Sequence, residues 1–344
     1  MSAVISGGEA DLLTRRAVAL CAGLGYDARP TFYHTLTGFN RHENLHVVTA
    51  AFEVIGIHAV LGLAEGNSAT SFKPVVYVGL AKDDDDATCL HRRSWTQGAV
   101  PILLVVRPET VEVRDGFGPP GGDVRTYPFE PGRDVDPGLA AVSAGALTSS
   151  IHWRDRPTSR ASAVDTRLVA AVEDLNRYVR NLYPSLGNSR GLVNALIGRL
   201  LYLYVLVDRE IVGREWMEAV IGRFGCSGAA FAREVLHQGV RIAEASFTTD
   251  EVWAVLDGID DLINGSVFPI SFEERRLLPD DLIHLVHRVV RCGDVLEFER
   301  RQISFLDVSF EVLRTETISA IYERFLKIED ENAQRNEGAF YTPP

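Results

Sequence analysis

The residues that could do chemistry are sparse and scattered. Lys82 follows an apolar run, Val75-Val76-Tyr77-Val78-Gly79-Leu80-Ala81, and precedes four aspartates, Asp83 to Asp86. A lysine at the end of a strand, with carboxylates nearby, is the pattern that holds Mg²⁺ and orients an attacking water. The position two before Lys82 is Leu80, which cannot ligate a metal, and Glu53 and Glu65 lie upstream. His284 and His287 fall three apart, and His34, His42 and His46 share one region without a helical frame to bring them together. Neither set makes a zinc site, and no Ser/His/Asp, Cys/His or paired-carboxylate arrangement stands out. No catalytic or metal-ligating residue is assigned. His91-Arg92-Arg93-Ser94-Trp95 is the most basic and aromatic spot, read either as a phosphate contact or as a surface helix with Trp95 turned inward.

The elements that must carry these residues divide the chain in two. Residues 9–24 read as an amphipathic helix burying Leu12, Leu13, Val18, Leu20 and Leu24. Runs at 57–63, 75–80 and 100–106, with the alternating Val111-Glu112-Val113-Arg114, read as strands, and Thr88 to Gln97 as a short helix between them. This makes residues 1–117 a small mixed α/β domain. Residues 118–164, rich in Gly, Pro, Ser and Ala, read as an extended linker with one short helix at 139–147. Residues 165–330 read as a helical domain. Its central helix, around Leu192 to Val207, is apolar nearly all round, so Arg199 within it requires a carboxylate such as Asp208 or Glu210. The fold class is α+β.

Composition is that of an ordinary globular chain: 344 residues, 46% hydrophobic and 24% charged. Four distant cysteines, Cys21, Cys89, Cys226 and Cys292, form no Cys-x-x-Cys pair and read as buried thiols in a reducing cytoplasm. The Leu192–Val207 run, interrupted by Arg199, reads as too short to span a membrane, so no membrane partner is expected. A net charge of −12 does not favour phosphate binding over the whole surface.

The last stretch, Gly338-Ala339-Phe340-Tyr341-Thr342-Pro343-Pro344, follows a polar run and carries two aromatics into a Thr-Pro-Pro end that cannot enter a helix interior. It resembles the segment that opens the catalytic domain of adenine-specific DNA methyltransferases of the restriction-modification and phage-defence type. Ser319-Ala320-Ile321-Tyr322-Glu323-Arg324-Phe325-Leu326 resembles the helix preceding that segment. Ile263-Asn264-Gly265-Ser266-Val267-Phe268-Pro269 is similar to a loop of the same family, and Ile197-Gly198-Arg199-Leu200-Leu201-Tyr202-Leu203 to its early core helix.

The resemblance implies that Phe340, Tyr341, Thr342 and Pro343 touch S-adenosylmethionine, an aromatic face beside the sulfonium being favourable. It implies double-stranded DNA as a partner, with other restriction or defence subunits. The family's Asp-Pro-x-x-Gly-x-Gly type loop and Asn-Pro-Pro-Tyr type motif are absent. The expectation is therefore the front part of a larger methyltransferase, inactive by itself, with residues 331–344 leading into the catalytic domain. Two alternatives stand beside it. One is an Mg²⁺-dependent nuclease module, the first domain being a degenerate relative of the PD-(D/E)xK fold; the other is a non-catalytic scaffold that binds partner subunits.

Overall fold

The computed structural model describes residues 7–39, 43–64, 71–149, 153, 163–186, 190–226, 228–239, 247–299 and 301–329. They form two compact units, Met1–Thr166 and Arg167–Pro344.

The first unit is built on a six-stranded mixed sheet. Its strands are β1 (Phe32–Tyr33), β2 (Ala59–Leu63), β3 (Lys73–Leu80), β4 (Ile102–Val106), β5 (Thr110–Asp115) and β6 (Val124–Pro128). They lie side by side in chain order. All neighbours are antiparallel except β3 and β4, where Val76 faces Ile102 and Val78 faces Leu104 in parallel register. A parallel pair needs a crossover longer than a hairpin, and α3 (Asp84–Gln97) supplies it.

Helix α1 (Gly7–Gly23) covers one face of this sheet. Its buried row is Leu13, Arg16, Ala17, Leu20, Cys21 and Leu24, a three-and-four spacing. Leu12 and Val18, expected inside, are about half exposed because they fall off that row. Ala17, Leu20 and Cys21 pack with Val76, Val78, Ile102 and Leu104 in one apolar core.

Residues 150–152 and 154–162 lie outside the described residues, and the other residues of 118–164 are not an extended crossing. They contain β6, paired along its length with β5, and then α4 (Pro137–Ala140) and α5 (Ala144–Thr148). Leu139, Val142 and Leu147 are buried in the same core as α1. The Tyr26 hydroxyl donates to the Val142 carbonyl, and the Ala144 N–H to the Leu24 carbonyl. The prolines and glycines that suggested a linker serve local geometry instead. Pro137 stands in the first turn of α4 behind the capping Asp136, and Gly121 and Gly132 take positive φ at turns.

On the opposite face α3 starts earlier than its apolar pattern indicates. Asp83 is its N-cap, accepting from the Asp86 N–H at 2.9 Å, and Asp84 to Asp86 fill the first turn. Carboxylates there offset the helix dipole. Gly79 on β3 lets the helix close on the sheet, since a Cβ at this position would lie 2.4 Å from Leu90.

The second unit is mainly helical. It comprises α6 (Val164–Leu182), α7 (Arg190–Asp208), α8 (Arg214–Arg223), α9 (Ala230–Glu234), α10 (Thr249–Ile263), α11 (Phe272–Arg275) and α12 (Asp280–His287). A small hairpin of β7 (Leu296–Phe298) and β8 (Arg301–Ile303) precedes α13 (Thr315–Glu329). The chain is thus α+β, a mixed sheet followed by helices.

Helix α7 is the axis of this unit, with Val193, Leu196, Ile197, Leu200, Leu203 and Tyr204 fully buried. By length and composition it could cross a bilayer, contrary to the sequence reading, but 78% of its apolar window is buried within the unit. Helix α9 ends at Glu234, before a turn.

Candidate functional site

Three places in the fold were candidates for chemistry, and the structure treats them differently. The first is the end of β3. Lys82 lies 3.8 Å from Asp83 and 4.0 Å from Asp86, both of which serve the start of α3. Asp84 accepts from Arg107 at 2.8 Å. The aspartate run is therefore a helix cap and first turn rather than a solvated loop. Glu53 sits on a π-helical turn, Ala51–Ile55, and Glu65 lies outside the described residues. Among the described residues, no group of three His, Cys, Asp or Glu is placed to hold a metal ion.

The second place is the basic and aromatic stretch on α3. Trp95 and His91 each have 2% exposure, so both turn inward. Arg93 donates to the Val54 carbonyl at 3.0 Å. What lies beneath is a charged network that the sequence did not announce. Arg114 forms a two-pronged contact with Glu112, at 2.9 and 2.6 Å, and Arg107 reaches the other oxygen of Glu112 at 2.8 Å. His91 hydrogen-bonds the Asp115 carbonyl at 2.9 Å, and burial lowers its pKa. The alternation Val111-Glu112-Val113-Arg114 was the available signal. In a two-faced sheet its polar members must face either solvent or a second layer, and α3 is that layer.

The third place is the centre of the helical unit, where the stretches 197–203, 263–269 and 319–326 fold. Gly198 on α7 and Phe268 on the 263–269 loop are in direct contact. A Cβ on residue 198 would stand 2.5 Å from the Phe268 ring, so only glycine admits it without displacement. Asn264, at the turn of that loop, takes the left-handed conformation as the C-cap of α10. Helix α13, which carries Ser319 to Leu326, packs along α7, with Ile321 buried. Two of the stretches, 263–269 and 319–326, thus lie on elements that pack against the helix carrying the third.

The charges in this unit are paired across helices. Arg199 reaches Asp260 at 2.7 Å and Asp257 at 3.5 Å, both on α10, rather than Asp208 or Glu210. Asp208 is taken by Arg291, which has no exposed surface and binds both carboxylate oxygens, at 2.6 and 2.9 Å. A second arginine, Arg275, grips Asp257 at 2.7 Å and lies 4.7 Å from the Trp253 ring centre. Sequence proximity suggested Asp208 for Arg199. The axial rotation of α7 decides otherwise, because Arg199 faces α10 and Asp208 faces the π-helical turn Arg288–Cys292.

The pair His284 and His287 is built into this interior. His287 is 1% exposed, and its Nδ1 lies 2.9 Å from the Tyr204 hydroxyl. Phe231 and Phe247 meet the His287 ring edge-on at 5.6 and 5.1 Å between centres. Burial holds its pKa down at about 3, with Arg291 adding to the effect. It is a neutral core imidazole in an aromatic cage. Two cysteines are less buried than expected: Cys21 and Cys292 are interior, whereas Cys89 and Cys226 are partly exposed. Phe340, Tyr341, Thr342 and Pro343, assigned to the cofactor by resemblance, lie outside the described residues.

No family model matches this chain, and neither a curated protein nor a solved structure matches it.

Proposed function

We propose that this chain is the N-terminal part of an S-adenosylmethionine-dependent, adenine-specific DNA methyltransferase of a restriction-modification or phage-defence system, acting on double-stranded DNA in the cytoplasm. The observation that supports this most is the convergence on α7. The stretches 197–203, 263–269 and 319–326, which resemble the family in the same order, meet at the Gly198–Phe268 contact and along the α7–α13 packing. A resemblance by chance gives no reason for its pieces to share one core.

In this reading the helical unit is the platform that presents Phe340 to Pro343 to the cofactor. The methyl group comes from S-adenosylmethionine, and the groups that flip and methylate adenine belong to the catalytic domain that would follow. What this chain supplies is position: α13 packs along α7 with Ile321 buried, and the Arg209 guanidinium holds the segment before it through the Leu313 carbonyl.

The test is methyl transfer. The native gene product, incubated with DNA and labelled S-adenosylmethionine, should place label on the exocyclic amine of adenine, and Tyr341→Ala should weaken cofactor binding about tenfold. A native product that neither binds S-adenosylmethionine nor labels DNA would refute the proposal.

A further inference from the structure

Strand β6 is the longer free edge of the first unit's sheet, the opposite edge, β1, being two residues long. Which backbone groups β6 leaves open follows from the ladder. The Arg107 N–H donates to the Thr110 carbonyl on the β4 side of β5, and the Phe129 N–H to the Glu109 carbonyl on the β6 side. Antiparallel pairs alternate between bonded and non-bonded. Tyr127 with Val111 and Arg125 with Val113 are therefore the bonded pairs, and Val124, Thr126 and Pro128 turn their backbone groups away from β5. Among the described residues nothing takes up the N–H or the carbonyl of Val124 or Thr126.

This edge is regular, exposed and held in place. The β5–β6 register runs without a bulge, and Val124, Arg125, Thr126 and Pro128 are exposed. Tyr127 is anchored against α4, where a Cβ on residue 138 would stand 2.0 Å from its ring. An open edge of this kind is a template for another strand. The strand carries one charge, Arg125, and ends at Pro128, which has no N–H to give. Whatever pairs with it must suit both.

We propose that β6 pairs antiparallel with β6 of a second copy of this chain, about a two-fold axis at Thr126. A two-fold contact requires a self-complementary surface, and this register provides it. The two threonines exchange both main-chain bonds and stand directly opposite, a favourable cross-strand pair. Each Val124 N–H reaches the Pro128 carbonyl of the other copy, and Arg125 faces Tyr127, a cation beside an aromatic ring. Neighbouring registers are poorer. Centring on Arg125 sets like charges directly opposite each other, and centring on Tyr127 leaves each Thr126 carbonyl against Pro128. A five-residue edge is small against the interfaces of tight dimers, so the association is weak and reversible, at about 10–100 µM.

Sedimentation velocity of the whole chain, loaded from about 5 to about 300 µM to bracket that range, tests this. The mass should rise from 37.9 kDa toward twice that value with concentration. Thr126→Pro removes an N–H that β5 does not use and should weaken association about tenfold or more. Thr126→Lys, at the same exposed position, sets like charges opposite each other in the dimer and should weaken it about fivefold. Both variants should keep the wild-type circular dichroism; if the proline variant does not, the lysine variant decides. Hydrogen exchange locates the contact: the Val124 and Thr126 amides should slow as concentration rises, while those of Arg125 and Tyr127, bonded to β5, stay slow throughout. A mass of 37.9 kDa at every loading would overturn the proposal, as would a dimer that Thr126→Lys leaves intact. Slow exchange of Val124 and Thr126 at the lowest loading would overturn it too, since another segment of the same chain would then cover the edge.

Discussion

At the scale of single residues, the second unit depends on charges and imidazoles held where water cannot reach them. His287 is the sharpest case. Its pKa is about 3 in the folded chain against an ordinary 6.5. Between those values the unfolded chain takes up a proton that the folded chain refuses. The associated stability is complete above pH 6.5 and is lost as the pH falls toward 3, with a slope of up to about 1.4 kcal/mol per pH unit. Burial lowers the pKa of His58, His91 and His284 too, so their contributions have the same sign. Urea midpoints followed from pH 7 to pH 4 should fall, and His287→Leu should flatten the dependence by about one proton. An unaltered slope in that variant would contradict the assignment.

Arg291 makes a second test at this scale. It is fully buried, and its removal leaves Asp208 without its two-pronged partner and the Val235 carbonyl without a donor. Arg291→Ala should cost on the order of 3–5 kcal/mol in chemical denaturation, the usual consequence of breaking a buried ion pair. Glu316→Ala, which removes a first-turn carboxylate that offsets the dipole of α13, should cost no more than about 1 kcal/mol.

Among the elements, the contact between α7 and the 263–269 loop is the close approach that a single methyl group tests. Gly198→Ala would drive a methyl group into the Phe268 ring, a clash of the kind that costs about 1–3 kcal/mol. Phe268→Leu in the same chain should recover a large part of that loss, and the double-mutant coupling measures the contact directly. Additive effects would mean that the two residues do not touch.

At the same scale it is clear what the sequence made legible. The strands at 57–63, 75–80 and 100–106 and the helix at 192–207 declare themselves as continuous apolar runs, since they are covered on both faces or nearly all round, and 111–114 by its alternation. Residues 118–164 did not, because Pro137, Gly121 and Gly132 look alike whether they break structure or sit at caps and turns. Only the pairing of β6 with β5 reveals which. Helix α3 was read short because Asp83 to Asp86 are polar, although their value lies at a helix N-terminus. The partner of Arg199 was invisible for a different reason. Asp257 and Asp260 lie about sixty positions away, on another helix, and no local rule carries that information.

For the molecule as a whole, two compact units divide the chain near Thr166. Each has its own apolar core, one under the sheet and one around α7. Unfolding is therefore expected to depart from a single two-state transition, with tryptophan fluorescence and far-UV circular dichroism giving separate midpoints. Trp95 and Trp153 lie in the first unit and Trp216 and Trp253 in the second, so the double variants Trp95→Phe/Trp153→Phe and Trp216→Phe/Trp253→Phe should each remove one of the fluorescence steps. Coincident transitions in both variants would indicate one cooperative body.

The central claim concerns what this chain belongs to, and intact-mass spectrometry of the native gene product, with peptide sequencing past Pro344, tests it most directly. A mass well above 37.9 kDa, with peptides carrying a Gly-rich Asp-Pro loop and an Asn-Pro-Pro-Tyr type motif, is the expected result. A product of 37.9 kDa, with no such peptides, would contradict it and leave the partner-binding scaffold as the better account.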